Sequence, residues 1–231
     1  MKKTFYVVDL EISPYEDVYV LQKSIMENKK KREGNDVLLL VEHYPVFTIG
    51  RRGSRNNIFI GTNERIERGL RIIDIDRGGD ITFHGIGQLV AYPIFDLALH
   101  GRDVRLFIRN LERVLELTVL EYGLTPDTDK KYTGLWVNNG YKIGFIGIGV
   151  SNWITYHGIS LNANVDLTYF NMIRPCGIEG VRVSSMQALL RRHIGMDELK
   201  KIMVEKFCEV FDSGYQHRIS PYATMVKEKT A

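Results

Sequence analysis

The sequence predicts an α+β fold in which a mixed or antiparallel central sheet is flanked by helices. Three observations support this class. Segments with strand character and segments with helical spacing of apolar residues are mixed along the chain. Consecutive strands are often joined by short turns, which suit antiparallel neighbours but not parallel crossovers. Two longer segments repeat apolar residues at helical spacing, so they are expected to pack on a sheet.

The amino-terminal part of the chain predicts a strand, a helix and a second strand. Residues 5–10 have strand character, and residues 37–41 form a fully apolar run that is typical of a buried strand. Between them, Ser13, Pro14 and Glu16 form a helix start. The serine can cap, the proline suits the first turn and the glutamate completes a capping box.

The middle of the chain predicts two strands and the clearest helix. Residues 72–76 and 89–95 have strand character. Pro93 predicts an edge position or a bulge for the second of them, because proline cannot donate to a ladder. The helix lies between Asp103, a good cap, and Gly123, a good terminator. Its continuous apolar stripe is expected to pack across the sheet.

The carboxy-terminal half begins with a predicted hairpin. Asn139-Gly140 is a strong signal for a two-residue turn, which would pair Val137 with Lys142. Residues 141–150 then form the second strand of the hairpin. Another strand is predicted near residues 159–167, and a last helix over residues 196–211 completes the chain. Residues 1–231 are expected to form a single domain, with a small carboxy-terminal subdomain from about residue 187.

The composition excludes several classes of protein. The net charge of +3 would suit an acidic protein partner but is too small to predict nucleic-acid binding. The chain has only two cysteines and no metal-ligand spacing, so neither a disulfide framework nor a metal site is expected. No signal peptide and no apolar segment of membrane-spanning length is seen. These features predict a cytoplasmic protein without a membrane partner.

The first cluster of candidate functional residues lies at 77–88. Four glycines in twelve residues allow the backbone to approach a ligand closely. The same segment holds the hydrogen-bonding side chains of Thr82, His84 and Gln88, a density that a plain irregular connection would not need. It lacks the Gly-Lys-Ser/Thr ending of a phosphate loop.

Two further clusters lie on predicted strands. Residues 141–150 contain three glycines, which indicate a groove floor or tight packing, and one odd charge, Lys142. From spacing alone, an exposed hairpin lysine is the better interpretation of Lys142. Residues 156–162 contain His157, for which a histidine with satisfied hydrogen bonds at a strand start is a reasonable alternative to a functional role.

The fourth cluster surrounds Cys176. Pro175 forces the residue before it into extended geometry, and Gly177 leaves room beside the sulfur, so Cys176 is predicted to lie in an open turn. Cys208 borders the apolar stripe of the last helix and is predicted to be an inert, buried thiol. Local context alone makes Cys176 a candidate nucleophile and no more.

Five motifs in order resemble the lipoyl(octanoyl) transferase family. They are His-x-Pro-Val-Phe-Thr from His43, Arg-Gly-Gly-x-x-Thr-x-His-Gly-x-Gly-Gln-Leu from Arg77, Gly-x-Trp-Val with a later Lys-Ile, His-Gly-x-x-Leu-Asn from His157, and Pro-Cys-Gly around Cys176. The resemblance covers about residues 43–186. One departure is Ile86, where the family usually has a proline, but this change removes no chemical group.

The resemblance implies a fold shared with biotin protein ligases and lipoate ligases, of the class II synthetase type. It implies an acyltransferase that moves an octanoyl or lipoyl group from acyl carrier protein to a lysine of lipoyl domains. The acceptors would be the 2-oxoacid dehydrogenases and the glycine cleavage protein. No cofactor, metal or nucleic acid is implied, and a monomer is expected.

The resemblance also implies the site residues. Cys176 matches the catalytic nucleophile and Lys142 its dyad partner. A cysteine thiol has a pKa of about 8.5, and a nearby ammonium favours the thiolate. Phe83, Phe145 and Ile146 are expected to line a slot for the acyl chain. The residues that match the substrate-lining segments are Arg77, Gly78, Gly79, Asp80, Ile81, Thr82, Phe83, His84, Phe145, Ile146, Gly147, Gly158, Ile159 and Ser160.

Two alternatives remain open at this point. The first is an ATP-dependent lipoate or biotin ligase on the same fold, which would use Lys142 for an acyl-adenylate and have no need for Cys176. The second is a non-catalytic module that binds lipoyl domains. The Pro-Cys-Gly context argues against the first, and the presence of both Cys176 and Lys142 argues against the second.

Overall fold

The computed structural model describes residues 3–31, 34–127 and 132–217. Its elements, in chain order, are β1 (Lys3–Ser13), α1 (Tyr15–Lys30), β2 (Asp36–His43), β3 (Val46–Ile49), α2 (Thr62–Glu67), β4 (Arg71–Asp74), β5 (Ile81–His84), β6 (Gln88–Ile94), α3 (Val104–Leu120), β7 (Leu135–Val137), β8 (Tyr141–Ser151), β9 (Ile154–Asn162), β10 (Arg182–Val183), α4 (Met186–Leu190), α5 (Met196–Val210) and β11 (Ser213–His217). None of the helices in these ranges has the length and apolar character that a membrane crossing requires.

Within the described ranges, the main sheet has eight strands and is mixed. Its order is β10-β8-β9-β6-β2-β1-β11, and β7 also pairs with β8. The pairs β8–β9, β9–β6 and β6–β2 are antiparallel, whereas β1 is parallel to both β2 and β11. A smaller sheet has the order β4-β3-β5. This is the α+β class with a mixed central sheet that the sequence predicts.

Helices cover both faces of the main sheet. On one face α3 and α5 pack together, and Phe107, Leu111 and Phe207 are almost fully buried there. On the other face α1 packs through Val18 and Ile25. Full burial of one aliphatic or aromatic side chain contributes ~1.5–3 kcal/mol. These two apolar layers therefore hold the helices against the sheet.

The two predicted helix starts have different outcomes. Asp103 caps α3 as predicted, because its Oδ1 accepts hydrogen bonds from two N–H groups of the first turn, at 2.8 and 3.0 Å. The capping box predicted at Ser13 is wrong, since α1 has no side-chain cap and Ser13 stays in β1 opposite His43. The Ser13 hydroxyl donates to the Leu10 carbonyl instead. Pairing with β2 therefore keeps Ser13 in β1, although the local sequence signal predicts it as the cap of α1.

Pro93 does not lie at a sheet edge. Its strand β6 is central, between β2 and β9, so the predicted edge position is wrong. The ladder from β6 to β9 ends at Ala91, and the Pro93 carbonyl accepts from the Thr155 hydroxyl at 2.6 Å. A backbone N–H is therefore not needed at residue 93 on that side, which is what allows a proline inside the strand.

The turn between β7 and β8 has three residues rather than two. Val137 pairs with Tyr141, so the predicted pairing of Val137 with Lys142 is wrong. The Asp127 carboxylate accepts hydrogen bonds from two N–H groups of the turn, at 3.0 and 2.8 Å. Asp127 lies outside the hairpin, so the Asn139-Gly140 pair alone does not predict these hydrogen bonds or the longer turn.

Residues 50–60, here called the strap, join the small sheet to the segment that holds Cys176. At one end, the N–H groups of Gly50, Arg51 and Arg52 donate to carbonyls of residues 77–80 at 3.0–3.1 Å. At the other end, Ile58 bridges to Ile173. Strand β5 also packs against the turn Pro175–Gly177 that holds Cys176, here called the cysteine turn. The strap therefore sets the position of the cluster at residues 77–88 relative to the cluster around Cys176.

Candidate active site

A cavity of about 470 Å³, including its open mouth, lies between the small sheet and strands β8 and β9. Cys176 lines it, together with all but three of the predicted substrate-lining residues. Those present are Arg77, Gly79, Asp80, Thr82, His84, Phe145, Ile146, Gly147, Gly158, Ile159 and Ser160. The fold thus brings the segments 77–84, 145–147, 158–160 and the cysteine turn to one place.

Gly78, Ile81 and Phe83 are not among the residues that line this cavity, and substrate contact by them stays a prediction. Side chains on a strand alternate between faces, so β5 directs Thr82 and His84 to the cavity and Ile81 and Phe83 away from it. Phe83 is 1% exposed and stacks on Tyr169 at 4.5 Å between ring centroids. It packs with Phe47 and Phe170 behind the small sheet.

Three residues line the cavity that the sequence analysis did not single out, namely Tyr15, Val90 and Tyr92. Val90 and Tyr92 lie two residues apart on β6, so the period of the strand places them on one face. The alternation of side chains along β6 would have predicted either residue once the other was known to line the cavity. Tyr15 begins α1, and nothing local to the sequence indicates that this helix end reaches the cavity.

Cys176 lies in a tight turn formed by Pro175–Gly177, which is closed by hydrogen bonds from Gly177 N–H to the Arg174 carbonyl and from Ile178 N–H to the Pro175 carbonyl. Its φ of 56° and ψ of 15° are left-handed, and Gly177 follows with a φ of 67°. The left-handed conformation costs a residue with a Cβ about 1–2 kcal/mol. Surrounding hydrogen bonds hold it, including Arg174 N–H to the Asn57 carbonyl of the strap at 2.8 Å. The nucleophile is therefore fixed in a strained but well-supported geometry.

Asp80 connects the cavity loop, the strap and the cysteine turn. Its Oδ1 accepts from the N–H groups of Ile81 at 2.7 Å and Ser54 at 3.2 Å, and its Oδ2 accepts from Asn57 Nδ2 at 2.7 Å. A Cβ at Gly177 would overlap this carboxylate. Asp80 therefore has a positioning role, since its acceptor oxygens are already engaged.

Lys142 is buried, so the interpretation as an exposed hairpin lysine is wrong. Its side chain lies on β8 with 1% exposure, and Nζ donates to the Thr133 carbonyl at 2.6 Å. Nζ is 4.6 Å from the Trp136 ring centroid and 5.3 Å from that of Phe145. Lys142 is not among the residues that line the cavity. Phe145 lines the cavity next to Lys142, and the Lys142 charge still lowers the pKa of Cys176.

The electrostatics of Cys176 are a balance of burial and charge. Burial raises the pKa of the thiol, the positive charges of Lys142 and Arg77 lower it, and Asp80 raises it, with a net result above the usual value. At neutral pH the resting protein therefore holds Cys176 mainly as a thiol. The expected influence of Lys142 has the right sign, but it is smaller than the effect of burial, which the sequence does not reveal.

Arg77 supplies the second positive charge. Its guanidinium is buried, and Nη2 donates to the Thr48 carbonyl at 2.7 Å and to the Thr48 hydroxyl at 3.0 Å, while Nη1 donates to the Gly78 carbonyl at 2.9 Å. Arg77 Nε and the Thr82 hydroxyl are buried without a hydrogen-bond partner among the described residues. Both residues line the cavity, which suits the binding of a polar group such as a carbonyl.

His157 has its hydrogen bonds satisfied, which is the alternative that the sequence left open. Nε2 pairs with Asp76 Oδ1 at 2.9 Å, and Nδ1 lies 3.5 Å from the Tyr15 hydroxyl. Burial lowers the pKa of His157. Asp76 also accepts from Lys23 at 2.6 Å. The histidine is therefore part of a polar network at the edge of the cavity.

Ile86, the departure from the family pattern, lies in a tight turn. Gln88 N–H donates to the Gly85 carbonyl at 3.1 Å, and Gly87 takes a φ of 87°. Ile86 is thus at the second position of the turn, where proline is favoured but not required. Gly87 N–H also donates to the Glu42 carboxylate at 2.8 Å. These bonds hold the turn without the proline.

Cys208 differs from Cys176 in its surroundings. It is half-buried on α5 and packs against the main core, away from the cavity. Among the described residues, no group of three or more His, Cys, Asp and Glu side chains is arranged to hold a metal ion.

Gly158→Ala is expected to destabilise the protein by about 1–3 kcal/mol, the usual penalty of overpacking. A Cβ at this cavity residue would overlap the Ala91 carbonyl oxygen of β6 and lie 2.7 Å from Pro93 Cδ. Urea unfolding would measure the change. Gly214→Ala is the matched control, because nothing lies within 4 Å of its Cβ position. Equal stability of the two variants would contradict the expectation.

Comparison with known proteins identifies close relatives. Residues 14–208 match the family model described as the lipoyl protein ligase A/B catalytic domain. The chain is 41% identical over 209 residues to the octanoyltransferase of Caldicellulosiruptor saccharolyticus, covering 90% of this chain and 88% of that protein. It is also 41% identical over 210 residues to the octanoyltransferase of Caldanaerobacter subterraneus subsp. tengcongensis, covering 91% of each.

Solved structures share the fold at low sequence identity. A lipoate-protein ligase A bound with ATP superposes with a TM-score of 0.75 at 11% identity, over 99% of this chain and 94% of that chain. A putative lipoate protein ligase from T. acidophilum with bound lipoic acid gives a TM-score of 0.70 at 13% identity, with the same coverage. These likenesses show that the fold is the lipoate ligase architecture expected from the sequence.

Proposed function

Because the chain belongs to the family of the lipoyl protein ligase A/B catalytic domain, we propose that it is an octanoyltransferase that works through a thioester on Cys176. The enzyme transfers an octanoyl group to a lysine in protein lipoylation. One observation carries the role of Cys176: of the two cysteines, it is the one that lines the cavity between the sheets. Apolar side chains that include Val90, Phe145 and Ile159 share that cavity and suit an acyl chain.

The first half-reaction moves the acyl group onto the enzyme. The Cys176 sulfur attacks the thioester carbonyl, a new C–S bond forms, and the bond to the donor sulfur breaks. The thiol proton leaves with the donor thiol. One thioester replaces another, so the step needs little free energy. The positive charges of Lys142 and Arg77 favour the thiolate during the attack.

The second half-reaction makes an amide. The amine of the acceptor lysine attacks the acyl carbon, the C–S bond to Cys176 breaks, and the sulfur regains a proton. An amide is more stable than a thioester, so this step is downhill. Thr82 and Arg77 are the cavity groups with unpartnered buried donors, and we propose that they bind the acyl carbonyl.

The proposed donor is octanoyl-acyl carrier protein, and the proposed acceptors are the lipoyl domains of 2-oxoacid dehydrogenases and the glycine cleavage protein. The net charge of +3 suits an acidic carrier. We further propose that residues 1–231 act as one catalytic domain, with a small subdomain from about residue 187. The protein would act as a cytoplasmic monomer, without a cofactor.

The experiment that separates this proposal from an ATP-dependent ligase uses the full chain, octanoyl-acyl carrier protein and a lipoyl domain, with all nucleotide removed. We expect octanoylation of the lipoyl domain to proceed without ATP, and mass spectrometry to detect it. A lipoyl domain that lacks its acceptor lysine is the control. A requirement for ATP with free octanoate as substrate would favour the ligase, and no transfer under either condition would favour the binding module.

A further inference from the structure

Tyr15 lines the cavity at the end opposite Cys176, and strand β5 gives a first measure of the distance between them. Asp80 directly precedes β5 and lies against the cysteine turn, because a Cβ at Gly177 would overlap its carboxylate. His84, the last residue of β5, stacks on the Tyr15 ring at 5.8 Å between ring centroids. From residue 80 to residue 84 a strand spans about 13 Å.

Strand β9 gives a second measure. Ser160 pairs with Phe145, whose ring centroid lies 5.3 Å from Lys142 Nζ, and the Lys142 charge acts on the nucleophile. His157 lies three residues earlier on β9, and its Nδ1 is 3.5 Å from the Tyr15 hydroxyl. Three residues of a strand span about 10 Å. Both strands therefore run from the nucleophile end of the cavity to Tyr15.

The wall between these two ends suits an acyl chain. Val90, Phe145 and Ile159 are apolar and line it. Gly147 and Gly158 pair across β8 and β9 and also line the cavity, and neither has a side chain to fill it. The cavity therefore offers an apolar path that begins at the nucleophile and ends at an aromatic ring.

The length of this path decides which chains fit. An extended chain gains about 1.2 Å per bond, so the seven C–C bonds of an octanoyl group span ~8 Å and the eleven of a dodecanoyl group ~13 Å. The side chains of Cys176 and Tyr15 themselves occupy part of the distance between the two ends. An octanoyl group therefore fits, whereas a dodecanoyl group meets the Tyr15 ring.

The Tyr15 ring is held in place by a relay of hydrogen bonds. The Asp76 carboxylate accepts from His157 Nε2 at 2.9 Å, and burial lowers the pKa of His157, so the ring is neutral and Nδ1 keeps its lone pair. The Tyr15 hydroxyl therefore donates to Nδ1. Asp76 is itself fixed, since it accepts from Tyr19 at 2.8 Å and from Lys23 at 2.6 Å. The buried ring is thus tied to a network that resists its displacement by a longer chain.

An open groove next to the cysteine turn is the alternative place for an acyl chain. Phe59, Pro175 and Ile178 are among the residues that line it. Cys176 lines the cavity but not this groove. A chain bonded to the Cys176 sulfur is therefore expected to enter the cavity, with Tyr15 at its end.

We propose that Tyr15 sets the upper limit of acyl-chain length, so that the enzyme takes octanoyl groups and excludes chains as long as dodecanoyl. This inference rests on the proposed octanoyl transfer and names the residue that selects its substrate. Behind the Tyr15 ring lie Val46 and Ile75, with which it packs. A shorter side chain at residue 15 would extend the slot into this apolar space.

The first test compares two chain lengths in the full chain without acceptor. Mass spectrometry follows acylation of Cys176 by octanoyl- and by dodecanoyl-acyl carrier protein. Tyr15→Leu should lower the ratio of the octanoyl rate to the dodecanoyl rate by about 10- to 100-fold. Tyr15→Phe keeps the ring but loses the bond to His157, so its ratio should fall between the two. Each ratio is independent of the amount of folded protein.

Tyr215→Leu is the matched control, because Tyr215 lies on β11 and does not line the cavity. It should keep the native ratio. An unchanged ratio in Tyr15→Leu would overturn the inference. If the native chain forms no acyl-enzyme with octanoyl-acyl carrier protein, the proposed function itself fails.

The second test needs no substitution. The native chain is acylated by an octanoyl-acyl carrier protein whose acyl chain carries a diazirine near its methyl end, and light then links the chain to whatever it touches. Peptide mass spectrometry should find the cross-link on Tyr15 or on His157, which is bonded to it. A cross-link elsewhere, for example on Phe59 or Ile178 of the open groove, would overturn the inference.

Discussion

Cys176→Ala is expected to abolish octanoyl transfer, with a loss of about 10⁴-fold or more, as for other nucleophiles that act within a catalytic unit. No other described cysteine lines the cavity, so no thiol can replace it. The variant should fold normally. Alanine keeps the Cβ of cysteine, so the left-handed φ of 56° is no more strained than before.

Intact-protein and peptide mass spectrometry measure this result directly. After incubation with octanoyl-acyl carrier protein, the native chain should carry one octanoyl group on the peptide that contains Cys176. Cys208→Ala is the matched control, because Cys208 is half-buried against the main core, and it should acylate like the native chain. An octanoyl group on Cys208, or turnover by Cys176→Ala, would refute the nucleophile assignment.

Lys142→Met is expected to slow acylation of Cys176, by about tenfold for each unit by which the thiol pKa rises, because it removes a positive charge that favours the thiolate. Methionine retains most of the buried stem and removes the charge. The Lys142 charge lowers the pKa of Cys176 against the effect of burial. Without it the pKa of Cys176 rises further, and less thiolate is present at neutral pH.

Alkylation by iodoacetamide across a pH series checks the direction of this shift. The rate follows the thiolate fraction, so it rises with pH up to the pKa of Cys176. In Lys142→Met the whole profile should move to higher pH, with a lower rate at each pH below the plateau. Lys200→Met is the control, because Lys200 is a largely buried lysine that pairs with Asp9 at 2.9 Å, and it does not line the cavity. An unmoved profile in Lys142→Met would remove the electrostatic argument.

Local signals predicted the fold well where nothing distant competed with them. Asp103 caps α3 as its local signal predicts, through hydrogen bonds from two N–H groups of the first turn. Ser13 fails as a cap because pairing with β2 holds it in β1. The hairpin after Val137 gains a residue because Asp127 binds the turn. In each failure, a contact from a separate part of the chain outweighs a local preference, which for a helix cap is worth about 1 kcal/mol.

Local reasoning about the site had a similar limit. The glycine-rich segment at 77–88 and the turn at Cys176 are recognisable because their residue types are unusual. Phe83 looks like a residue of the acyl slot, yet the alternation of β5 turns it toward Tyr169. Tyr15 gives no signal at all, because its place in the cavity depends on how the start of α1 packs against Val46 and Ile75 beside the small sheet.

The sequence by itself determined the chemistry available to this protein: the residue types, their order in five motifs, and hence the family and its acyl transfer. The tertiary structure alone decided how those groups behave. It buried Lys142, gave Cys176 its left-handed turn and raised the pKa of its thiol. The physical reason is that desolvation, charge interactions and hydrogen-bond direction depend on neighbours that lie far apart in the chain, and only the packed fold supplies them.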